Sequence, residues 1–363
     1  MAAGGRPRGG DTILQKAVPP SLSEAYEQPH FDRVAVYVTL AAAVHWAETP
    51  ADIFRAHALG CPGTIFRAHA LGCPGTEFSP DLPYVDVMRF ESTGALLLEQ
   101  AVGGPDRETQ RRTGGPFLEH PPFTGSGFTG DPEHVVPVSW LPHRRVPAGA
   151  ELYRKAADGS STYRGRFVSA AHGWEFVDAV ERGRVRQPRT VDRRVGGLAR
   201  VGGVVDVADL VDDGATVVLA RQGGRPEGDG WTPTTPGMWA RSVPASDVDE
   251  YSEIDVRVQH EGADFRVVGE FTDDGGGTRL IGIYMGHDAE FAEARGFIRT
   301  EAGVYERELP PELLAGATTR QTQLRGWPGT TPAAAVSSAD RRPRGRDERG
   351  SSGGSWWSRL RRS

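Results

Sequence analysis

The chain reads as an α+β protein. A mixed α/β region comes first, tandem small β-rich, SH3-like modules follow, and a disordered basic tail ends it. Three observations carry this expectation. The second half holds a divergent internal repeat, in which Asp212-Asp213-Gly214 recurs as Asp273-Asp274-Gly275. Each copy continues through a short apolar run and closes on Gly, apolar, aromatic, any, Arg, any, apolar, Pro: Gly237–Pro244 and Gly303–Pro310. Repeats reveal the unit of construction before other patterns do. Apolar runs in this half are short and broken by Gly-rich turns, with few long helical periods. Beyond about Thr318 the apolar content falls and Gly, Ser, Thr, Pro and Arg dominate, a composition that buries too little to fold.

Residues 1–20 read as disordered, and 21–145 as the mixed α/β domain. From Phe31 the chain turns apolar, Val34, Val36 and Val38 alternating like a strand. Thr49-Pro50-Ala51-Asp52 opens a helix, since Pro costs nothing where the first-turn N–H is unpaired. Residues 53–64 then recur identically as 65–76, so 53–76 is an exact duplication rather than a module. Tyr84 to Phe90 reads as a strand. Residues 103–134, rich in Gly, Pro and charge, read as a long loop of the kind that is functional or disordered. Within 146–190, Asp158-Gly159 between two alternating runs signals a β-hairpin. The first β module spans 191–250 and the second 251–316. The second adds a short helix over Asp288–Arg295, capped by Asp288 and stopped by Gly296. The tail is 317–363, and its arginine excess sets it against an acidic body.

Only two lysines, Lys16 and Lys155, stand among 42 basic residues. Arginine abundance of this kind fits phosphate binding, but with Ala, Gly, Pro and Val abundant too it reads as a GC-rich genome. The net charge of −6 argues against a nucleic-acid-binding body. The two cysteines, Cys61 and Cys73, lie inside the duplication, which excludes a disulfide scaffold and fits a reducing cytoplasm. The longest apolar stretch, Val34–Val44, is too short for a membrane span, which needs about 20 residues. The expectation is a soluble cytoplasmic protein without cofactor.

Four metal-ligand residue types, His57, Cys61, His69 and Cys73, sit in two His-x3-Cys pairs. They arise from one duplication event, and no metal is expected. Gly125–Gly130 has dinucleotide-binding glycine spacing but lacks the preceding strand and following helix which that chemistry needs. The window Phe117–Arg145 gathers His120, Asp131, His134, His143 and Arg145, which could serve general acid/base work with an anion clamp. The paired Trp239/Arg241 and Tyr305/Arg307 admit two roles, core plug or interface patch, since interfaces favour aromatics with Arg. The basic tail segment Arg341–Arg362 offers cations and Trp356-Trp357 to anionic surfaces.

The closing signature and overall texture resemble multi-module proteins of high-GC bacteria, a resemblance that implies no activity. Without a Walker loop, a His-Glu-x-x-His, a Gly-x-Ser-x-Gly or paired Cys-x-x-Cys motifs, the expected role is a non-catalytic protein-binding or immunity-type interaction protein. The alternative is a hydrolase- or transferase-type enzyme working through 117–145.

Overall fold

A computed structural model describes residues 13–28, 32–57, 78–92, 96, 98–101, 117–120, 123–130, 133–177, 191–273, 275–301, 303–324 and 327. Cys61, His69, Cys73, Asp131 and the Arg341–Arg362 segment lie outside the described residues. Strand accounts for 54% of the fold and helix for 15%, so helices cover sheets rather than forming layers of their own.

The first half supplies β1 (Ile13–Val18), β2 (Arg33–Leu40), β3 (Tyr84–Glu91), β4 (Glu99–Gln100), β5 (Phe117–His120), β6 (Phe123–Ser126), β7 (Phe128–Gly130), β8 (Val135–Arg145), β9 (Glu151–Ala156), β10 (Ser161–Ser169) and β11 (Gly173–Phe176). Its antiparallel sheet runs β11-β10-β9-β3-β1-β2-β8-β4, with β7 also on β8 and β5–β6 a separate hairpin. Helix α1 (Pro20–Tyr26) lies against it, as does α2 (Pro50–Ala56). Thr49 and Asp52 close a reciprocal capping box on α2, as its opening residues predict. The sheet curls around a core of Val18, Met88, Leu141, Leu152 and Phe167, to which α1 adds Tyr26. Ala17, Val85 and Val87 on the other face meet Ile53 and Ala56 of α2.

Three segments differ from the sequence reading. Residues Ile13–Val18, placed in a disordered leader, form β1 near the middle of the sheet. Its Gln15 and Lys16 are buried and bonded, so the strand lacks the polar-out alternation that marks one. The 103–134 loop contains strands β5, β6 and β7 in its described part. The tail begins with β22 (Thr318–Gln323) on the second sheet, and beyond it Trp327 is 3% exposed and stacked on Tyr251 at 5.5 Å. One buried indole holds this otherwise polar segment.

The second sheet comprises β12 (Val195–Val201), β13 (Val204–Val211), β14 (Thr216–Gln222), β15 (Thr232–Pro233), β16 (Met238–Pro244), β17 (Glu250–His260), β18 (Ala263–Thr272), β19 (Thr278–Tyr284), β20 (Ile298–Glu301), β21 (Val304–Leu309) and β22. Helix α3 (Ala289–Ala294) precedes β20, with the Asp288 carboxylate accepting from the Phe291 amide at its N-cap. The order β15-β16-β14-β13-β12-β17-β18-β19-β21-β20 reads outward from the β12–β17 pair through equivalent strands in both directions. Register agrees as well. Leu219 faces Ala208 and Arg241, as Gly282 faces Val267 and Arg307. Pro233 faces Trp239 as Arg299 faces Tyr305. The tight turns Gly202-Gly203 and Glu261-Gly262 both take positive φ at both residues, as two-residue hairpins of right-handed twist require. Strands β12–β16 are hereafter the first unit and β17–β21 the second.

The two sheets meet across a mixed seam. Ala35 and Trp140 of the first pack on Val195, Val268, Ile283 and Val304 of the second. Around this apolar centre lie charges. Lys16 pairs with Glu301, and Arg144 with Glu253 at 3.0 Å. Arg145 reaches Asp32 at 3.8 Å and Asp209 at 4.0 Å.

Candidate functional site

Of the residues expected to form one acid/base site, His134 and His143 lie apart. His120 sits on β5 in the separate hairpin, its backbone facing Phe123. His134 stacks on Trp46 at 4.3 Å, beside α2. Among the candidates whose side chains are described, His143 and Arg145 share a place, alternate positions of β8 inside the seam. His143 is 9% exposed, with its Nε2 3.9 Å from a Glu306 oxygen. Burial, together with the positive charges of Arg33, Arg266 and Lys16, pushes it well below the usual histidine range. It is therefore neutral near pH 7. Arg145 donates to the carbonyls of Asp192 at 2.8 Å and Val195 at 2.9 Å, tying β8 to the lead-in of β12. Burial raises Asp209 against the opposing pull of Arg145 and the Ala170 amide. It raises Glu301 against Lys16, and Glu306 against Arg33. These groups are spent on holding two sheets together.

Two concavities lie elsewhere. A groove of about 440 Å³ beside α1 is lined by Ser23, Glu24, Glu27, Tyr84, Arg154 and Arg164. Its cations are matched from within: Arg154 forks onto Asp86 at 2.9 Å with both nitrogens, and Arg164 meets Glu27 at 3.2 Å. A cleft of about 60 Å³ at the seam is lined by Arg144, Arg257, Arg266 and Arg320 against Glu99, Glu253 and Asp255. Of the described side chains, neither His134 nor His143 lines either one. Among the described residues no group of three or more His, Cys, Asp or Glu side chains is placed to hold a metal ion.

A further buried histidine carries a testable charge state. His57 ends α2, 4% exposed, with its Nε2 3.2 Å from the Gln15 amide nitrogen. Arg89 donates to the other Gln15 amide atom, Oε1, at 2.8 Å, which orients that amide. His57 Nε2 must then accept, which requires neutral imidazole. Burial, aided by Lys16, lowers its pKa to about 3. A depressed folded pKa means that this stability is full above about pH 6.5 and is lost as pH falls, by up to about 1.4 kcal/mol per unit. Asp209, Glu301 and Glu306 are shifted upward and act in the opposite sense, equally in wild type and a His57 variant. The stability gap between wild type and His57→Gln, measured by urea unfolding from pH 7 to 5, is expected to shrink by about 2 kcal/mol. A constant gap would refute the neutral-imidazole account.

The paired signatures occupy equivalent positions with different surroundings. In the second unit Tyr305 is 2% exposed and donates to Glu293 of α3 at 3.0 Å. Helix α3 also lays Phe291 on Tyr284, ring centroids 5.4 Å apart and nearly parallel, and the edge of Phe297 closes the cluster at 6.2 Å. Arg307 lies over Phe297 at 5.2 Å and pairs with Glu261 at 2.7 Å. In the first unit Arg221, Trp231 and Trp239 take the register positions of Tyr284, Phe297 and Tyr305, and Asp206 that of Phe265. Arg221 forks onto Asp206, its Nε 2.7 Å from one oxygen, and covers Trp231 at 4.6 Å. Among the described residues no helix covers this face, because Gly223–Gly230 replaces α3 with an exposed loop whose one buried residue is Pro226. Trp239 stays half-buried, its indole N–H donating to the Gly223 carbonyl at 3.1 Å. Arg241 has no carboxylate within ion-pair distance among the described residues.

The sequence reading found the Trp239/Arg241 and Tyr305/Arg307 pairs but missed Arg221, Trp231 and Asp206. One signal was present: Trp231 and Phe297 precede Gly237 and Gly303 by equal distances. The Asp206–Arg221 pair had none, since an ion pair across strands replaces an aromatic pair only once register is known. No family model, curated protein or solved structure matches the chain significantly.

Proposed function

We propose that this is a non-catalytic protein-binding protein, that its two units are copies of one small β module, and that the first unit carries the contact surface. One observation carries the reading: equivalent faces are finished differently. The second unit closes its face with its own helix and its own ion pair. The first leaves Trp239 half-open, with a guanidinium lacking a carboxylate beside it, the side-chain types enriched at interface hot spots. The acid/base reading of 117–145 gains no support, because its buried members hold the seam.

The test is affinity capture of stoichiometric partners from the native host on wild-type protein and on the Trp239→Ala/Arg241→Ala variant. A partner identified by mass spectrometry is expected on the wild type and lost, by about tenfold or more in affinity, on the variant. Partners retained equally on both would place the contact surface elsewhere. A turnover of any substrate class that survives the double variant and disappears with His134→Ala would favour an enzyme instead.

A further inference from the structure

We propose that the first unit's open face takes a protein segment carrying an aromatic side chain beside a carboxylate, with Arg241 receiving the carboxylate and the Arg221–Trp239 surface, backed by the buried Trp231, receiving the ring. This rests on the binding reading above and names the partner's chemistry. The second unit supplies the template. There the charge of Arg307 is met by Glu261, first residue of the β17–β18 turn. The first residue of the β12–β13 turn is Gly202. Both positions take the left-handed backbone conformation, φ +50° at Glu261 and +55° at Gly202, so the turns match and only the side chain differs. Among the described residues Arg241 thus has no carboxylate beside it, and a glycine stands where its counterpart has a glutamate.

The aromatic half of the argument is parallel. In the second unit the covering ring, Phe291, rests on Tyr284 and meets the edge of Phe297. In the first unit those positions are Arg221, whose side chain is 30% exposed, and Trp231, buried beneath it. Asp206 grips Arg221 through both nitrogens, holding its guanidinium in place over Trp231. A planar guanidinium so held presents a face on which an aromatic ring stacks, as the tyrosine does in the other unit. The Gly223–Gly230 loop brings no aromatic residue of its own to fill that seat. The complement to the whole surface is one ring and one negative charge, supplied from outside.

The experiment pans a random peptide display library against the full-length protein and measures selected peptides by titration calorimetry. Wild-type winners are expected to share Asp or Glu next to Phe, Tyr or Trp. A selected peptide is expected to bind about tenfold or more weakly to Arg241→Gln, and to lose as much when its carboxylate becomes an amide. Gly202→Glu supplies the missing carboxylate in cis and is expected to compete, weakening the same peptide to a similar degree. Circular dichroism and thermal melting check each variant. If Gly202→Glu fails to fold, Arg241→Gln and the amide peptide carry the readout. Winners that need Trp239 but carry no acid, or bind Arg241→Gln unchanged, overturn this inference and leave the binding reading standing. If no winner depends on Trp239, both fall.

Discussion

Arg145→Ala is expected to lower the unfolding free energy by about 3–5 kcal/mol, because it strips a buried network of its cation. The side chain is almost wholly enclosed. Its loss takes a donor from the carbonyls of Asp192 and Val195 and the nearby positive charge from Asp209 and Asp32. Arg145→Lys is expected to recover little of that loss, since an ammonium cannot reach two carbonyls and two carboxylates in the geometry of a planar fork. Guanidinium chloride unfolding of the three proteins at pH 7 measures both effects. A cost below about 1 kcal/mol for alanine would mean that water replaces the guanidinium and that the seam is looser than its geometry implies.

The second large effect belongs to the aromatic cluster of the second unit. Phe265 is fully buried between Tyr284 and Phe297, at 6.2 and 5.4 Å. Phe265→Ala is expected to cost about 3–5 kcal/mol by lost transfer and an unfilled cavity. At the equivalent place in the first unit, Asp206→Ala is expected to cost only about 1 kcal/mol, because Arg221 is 30% exposed and regains water. Thermal or denaturant unfolding of both variants makes the comparison. Equal costs would mean that the two faces are equally closed and would remove the ground for placing a contact surface on the first.

Local features of the fold were legible where the cause is local. The Thr49 cap of α2, the Asp288 cap of α3, the strand from Tyr84 and the hairpin at Asp158-Gly159 each follow from a few neighbouring residues. What stayed unreadable depends on distant partners. Lys16 and Glu301 are separated by 285 residues and Arg144 and Glu253 by 109, so no window of sequence pairs them. For the same reason β1 read as leader: its buried polar side chains make sense only beside Glu301, Arg89 and His57. Of the candidate site, Trp239 and Arg241 were visible through the closing signature. The state of Arg241 was not, because it turns on what the facing hairpin turn contains.

The seam also distinguishes the two units by charge. The first unit is synthesised before the second and presents nearly the same strand order and register. Yet the signature spacing puts Thr235 and Ala240 where the second unit has Glu301 and Glu306. Were the first unit to settle in the second's berth, Lys16 would be enclosed with no carboxylate, at a cost of several kcal/mol. The seam thus tells the two units apart by charge, since Lys16 finds its carboxylate, Glu301, on the second.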